Sequence, residues 1–80
     1  MEERRKDIRR RTLKAAKILI DRKSVIDCTV RNLAYKGAGL EVISLIGIPD
    51  TFELSIPADK VIHDCRVSRR EPQKICVQFV

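Results

Sequence analysis

Aromatic side chains are nearly missing from this chain of 80 residues: Tyr35, Phe52 and Phe79 are the only three, and there is no tryptophan. Both phenylalanines fall in alternating apolar runs and read as core, and Tyr35 reads as an exposed turn residue. No platform remains on which the bases of a nucleic acid strand would stack, so nucleic acid is disfavoured as a partner. Cysteine is equally sparse. Cys28, Cys65 and Cys76 are odd in number and widely spaced, without the Cys-x-x-Cys or His/Cys pattern of a zinc site, and read as reduced thiols filling a core. The single histidine, His63, has no acid, thiol or second histidine at a partner's spacing. With no acid–base pair or metal cluster to assemble, an enzyme is the least supported class. Long apolar runs are missing too. The basic start leads into no signal-peptide core, and nothing is long enough to span a bilayer, so the expectation is a soluble, cytoplasmic protein with no membrane insertion.

What the chain does have is charge and alternation. Charged residues make up 35% and hydrophobic residues 44%, the balance of an ordinary small globular domain. The net charge of +6 favours an anionic partner. It is concentrated at one end, where Arg4, Arg5, Lys6, Arg9, Arg10, Arg11, Lys14 and Lys17 stand against Glu2, Glu3 and Asp7.

Beyond that basic opening the pattern has a period of two, the signature of strands with one buried face. Residues 12–20 form a first strand, ended by the polar turn Asp21-Arg-Lys-Ser24. In the second, Ile26, Cys28 and Val30 share one face and Asp27, Thr29 and Arg31 the other, which directs Arg31 away from any site beside Asn32. Residues 33–37 reverse the chain, and residues 38–44 give a third strand with Leu40 and Val42 inward. Pro49 marks a break, Phe52, Leu54 and Ile56 form the inner face of a fourth strand, and residues 57–60 turn. Val61, His63, Cys65 and Val67 share a face of the fifth, residues 69–73 turn again, and Ile75, Val77 and Phe79 close the chain. Six short strands and no amphipathic helix imply an all-β fold, a small six-stranded antiparallel barrel. The expected division is a flexible basic segment over residues 1–11 and a barrel over residues 12–80.

Two motifs then stand in order. Arg5-Lys-Asp-Ile-Arg9 resembles the Arg-x-x-x-Arg element of the PilZ domain family, and Asn32-Leu-Ala34-Tyr-Lys-Gly37 resembles that family's Asp/Asn-x-Ser-x-x-Gly element. The stretches Gly37-Ala-Gly-Leu40, Ile48-Pro-Asp-x-Phe52-x-Leu-x-Ile56-Pro, Cys65-Arg-Val67 and Ile75-x-Val77-x-Phe79 are similar to the strands that follow in the family, so the resemblance spans essentially the whole chain. It implies a receptor for the bacterial second messenger cyclic di-GMP, without catalytic activity or cofactor, acting in motility, surface polysaccharide or biofilm control. Arg5 and Arg9 would take the phosphates and guanine edges, with Asn32 and Gly37 facing them, Arg4 and Arg10 adding electrostatic support, and Ala34 within the motif.

The chemistry of these residues agrees with that assignment. Guanidinium forks bond bidentately to phosphate or to guanine O6 and N7. Asn32 offers both an acceptor and donors, and Gly37 permits a positive φ and close backbone approach. Ala34 stands where the family carries serine; one missing hydrogen bond is worth about 0.5–1.5 kcal/mol. The mechanism implied is ordering of the arginine segment by ligand, presenting a new surface to a protein effector. The alternative is a degenerate PilZ domain that binds no nucleotide and works as a protein–protein adaptor. The expected assembly is a monomer or weak homodimer.

Overall fold

Alternation carries the chain into strand from the first residue that the structure, a computed structural model, describes. The described residues are 10–21 and 24–80. Six strands follow: β1 (Arg10–Leu19), β2 (Val25–Leu33), β3 (Gly37–Glu41), β4 (Thr51–Ile56), β5 (Val61–Glu71) and β6 (Lys74–Phe79), with one 3-10 turn at Pro57–Asp59. They close into an antiparallel barrel in the order β1-β2-β3-β6-β5-β4. Closure leaves no open sheet edge, which suits a chain too small to cover one.

The inner face is what the alternation predicts. Ala16, Ile18, Cys28, Val30, Leu40, Leu54, Ile56, Cys65, Ile75 and Val77 are buried there, with Phe52 and Val42 toward the ends. No polar or charged described residue is buried, and no buried side-chain polar atom among them lacks a partner. The core is therefore purely apolar, and half of its residues are β-branched, as pleated surfaces favour. His63 lies half-buried against the barrel and stacks on Phe79, with ring centroids 4.0 Å apart.

The structure differs from the sequence reading in four respects. β1 begins at Arg10, so Arg10 and Arg11 belong to the barrel wall rather than to the leading segment. β3 ends at Glu41, because Val42 leaves the ladder to donate its N–H to the Gln73 carbonyl, 2.9 Å away. β5 runs on through Arg69 and Arg70 to Glu71, and only Pro72 and Gln73 turn the chain. Polar composition there resembles that of a loop, but those residues are polar because that part of the strand is exposed on the barrel surface. The fourth difference is a set of three register shifts. They fall between Arg11 and Lys14 on β1, between Val30 and Asn32 on β2, and between Val67 and Arg69 on β5. Each inserts an extra residue and re-aims the side chains beyond it.

Candidate ligand-binding site

The first two of these bulges build the site. Strict alternation would put Asn32 on the inner face with Cys28 and Val30. Instead Val30 pairs with Leu40 while Asn32 pairs with Gly39, so two steps on β2 match one on β3. Leu40 points into the core and Gly39 therefore faces out, carrying Asn32 with it. The glycine leaves room for that side chain: a Cβ on Gly39 would lie 2.5 Å from Asn32 Nδ2. The Asn32 amide thus lies flat across β3.

On the other side, Arg11 pairs with Asn32 and Lys14 with Val30, so β1 spends three steps where β2 spends two. The one extra residue is taken up at Thr12–Leu13, where Leu13 is 74% exposed. As a result Arg11, not Arg10, stands beside Asn32 on the outer wall. Arg10 is exposed opposite Leu33, whose side chain packs against the core.

Arg11 and Asn32 open onto a surface groove of ≈ 930 Å³ whose other lining residues include Arg31, Glu41, Gln73 and Lys74. Arg31 is on the outer face as alternation predicts, and it is part of this groove because the β2 bulge brings Asn32 out onto that same face. Its Nη1 donates to Glu41 Oε1 at 3.0 Å, with both side chains about half exposed. Three cations against one carboxylate make the groove an anion-attracting surface. A second groove, at the far end of β1, is lined by Asp21, Glu53, Asp64 and Arg66 among others and has the opposite balance. An anion is thereby directed to the first.

Gly37 opens β3 and is buried. Its φ is not in the left-handed region, so the expected conformational role is not the one it plays. Its need for glycine is steric, since a Cβ would run into the Val77 carbonyl oxygen. Ala34, half-buried in the β2–β3 turn, donates its N–H to the Gly37 carbonyl at 2.8 Å, and Tyr35 projects from that turn 81% exposed. Arg4, Arg5 and Arg9 lie outside the described residues, so of the expected set the structure places Arg10, Asn32, Ala34 and Gly37. Arg11 and Arg31 are the residues that alternation missed. The signal for Arg11 was in the sequence: Leu13, an apolar residue out of phase with Ala16 and Ile18, marks the slip.

Two thiols sit inside the barrel and do not reach this wall. Burial, then the nearby Asp27 carboxylate, pushes Cys28 up to about 11. Burial, then Asp64, then Cys28 itself, pushes Cys65 up to about 12. Neither is a thiolate at neutral pH, and neither is a nucleophile there. Cys76 is different, half-buried on β6 opposite Gly39. Among the described residues no cluster of His, Cys, Asp or Glu is arranged to hold a metal ion, and no helix is long and apolar enough to cross a membrane.

Fold and site together define a small closed β-barrel with a basic groove on its outer wall. Compared with protein-family models and with curated proteins, the chain matches none.

Proposed function

We propose that the chain is a PilZ-like receptor for cyclic di-GMP, a binding module with no catalytic activity. The observation that carries this reading is the placement of Arg11 directly opposite Asn32 on the outer wall, at the mouth of a groove lined by further cations. Arg11 continues the arginine-rich stretch that holds Arg5 and Arg9, so the chain enters the barrel at the point where Asn32 is displayed. Guanidinium and carboxamide groups are suited to phosphate oxygens and to purine edges. Ligand closes the arginine segment over the wall and so offers a changed surface to a protein effector. The size of that response is bounded by the ligand's differential affinity for the two arrangements.

Ala34 favours the second reading, a barrel of the same type that has lost nucleotide binding and acts as an adaptor. It supplies only a backbone N–H to the turn where a serine would add a hydroxyl.

Titration of isotope-labelled protein with cyclic di-GMP separates the two. The receptor shows saturable amide shifts at Arg11, Asn32, Gly37 and Gly39, abolished by Arg9→Ala. Absence of shifts at millimolar ligand leaves the adaptor. An oligonucleotide titrated in parallel is expected to bind weakly and to lose its affinity steeply with salt, as non-specific phosphate contacts do.

A further inference from the structure

We infer that the ligand footprint does not end at Asn32 but crosses β3 and β6 to Lys74, which supplies a second anion contact on the far side of the groove. This rests on the reading of the wall as a nucleotide site. Lys74 lines the same groove as Arg11 and Asn32. The register fixes its place: Lys74 pairs with Glu41 on one side and Glu71 on the other, and on β6 it is two residues from Cys76, which pairs with Gly39. From β1 to β6 is three inter-strand steps, about 14 Å at the usual strand spacing. Long, flexible Arg and Lys stems shorten that span from both sides, leaving room for one compact ligand with two phosphates.

Lys74 is also available, as Arg11 is across the groove. Arg31 is engaged by Glu41, Arg69 by Glu71 and Arg70 by Asp50, whereas the Lys74 ammonium has no ion pair or hydrogen bond to any described side chain. Its backbone is nonetheless fixed. The Pro72-Gln73 turn just before it is tied to the β3–β4 connection, through Val42 N–H to the Gln73 carbonyl at 2.9 Å and Gln73 Nε2 to the Ile43 carbonyl at 3.4 Å. A fixed base with a free ammonium in an anion-attracting groove is the arrangement of a phosphate contact.

The test uses the full chain and cyclic di-GMP. Lys74→Ala is expected to weaken binding about tenfold, the size of one lost charge-assisted contact, with thermal unfolding unchanged, and Lys74→Arg to restore most of it. Cys76 provides an independent footprint. It is the most accessible of the three thiols, so N-ethylmaleimide labels it first, and intact mass reads the rate. Saturating cyclic di-GMP is expected to slow that labelling at least fivefold (roughly) if the ligand covers β6. Wild-type affinity in Lys74→Ala, while Arg11→Ala still weakens binding, overturns the Lys74 contact and leaves the wall site standing. Failure of the wild-type chain to bind cyclic di-GMP removes both.

Discussion

At the scale of single residues, the site depends on what Gly39 lacks and on what Glu41 occupies. A methyl group at position 39 would meet Asn32 Nδ2 at 2.5 Å. The obstructing atom is the tip of a side chain that can rotate away, so the barrel should tolerate Gly39→Ala with a loss of about 1 kcal/mol, the low end for overpacking. Asn32 would then leave the wall. We expect the Asn32 side-chain amide signals to move and cyclic di-GMP affinity to fall, with the urea midpoint little changed; a variant that keeps full affinity would show that Asn32 does not contact ligand. Glu41 acts in the opposite direction. Its carboxylate holds Arg31 Nη1 at 3.0 Å and presents a negative charge to an incoming anion. An exposed pair of this kind contributes roughly 0–1 kcal/mol to stability. Glu41→Gln should therefore cost little stability while tightening cyclic di-GMP by several-fold, measurable by calorimetry at low and at moderate salt. Unchanged affinity would place the ligand away from Arg31.

At the scale of elements, the strands were legible in the sequence and the bulges were not. Ile26, Cys28 and Val30 in β2 and Phe52, Leu54 and Ile56 in β4 alternate without interruption, and they lie inward as read. A bulge leaves composition untouched and changes only phase: Arg31 lies outward as alternation predicts, and alternation extended past Val30 puts Asn32 on the opposite face from Arg31, whereas the two share the outer wall. The same cause hid Arg11, since the one-residue bulge at Thr12–Leu13 lies between it and the regular part of β1. The long β5 was missed for another reason: Arg69, Arg70 and Glu71 resemble loop residues because they sit on the exposed surface of a strand. Turns carry their own test. Lys60 ends the 3-10 turn with φ 56°, a left-handed conformation that costs a side-chain-bearing residue about 1 kcal/mol. Lys60→Gly removes that cost and is expected to raise stability by about 0.5–1 kcal/mol in urea melts, less whatever unfolded-chain entropy glycine adds. A loss of stability instead would mean that Lys60 makes a contact worth more than its backbone strain.

For the whole molecule, the closed barrel with its apolar interior makes the two buried thiols report on folding. The inner face admits no buried polar or charged group, and Cys28 and Cys65 are the only ionisable side chains fully buried among the described residues. In the unfolded chain both ionise near 9.0; in the barrel Cys28 is pushed up to about 11 and Cys65 to about 12, burial being the larger cause for each. Between those limits the unfolded chain releases protons that the barrel retains, so stability is full below pH 9 and falls as pH rises toward 11 and 12. A domain of this size buries a smaller fraction of its unfolded surface than larger domains do and has little margin to lose. Every other contribution to the pH dependence is shared with a variant that lacks one buried thiol. The expected result is therefore a difference: Cys28→Ala, although less stable than wild type at pH 7.5, should lose less stability between pH 8.5 and about 10.5 in urea melts. Parallel slopes for the two proteins would mean that the Cys28 thiol ionises as readily in the folded chain as in the unfolded one, and that water reaches the inner face of β2.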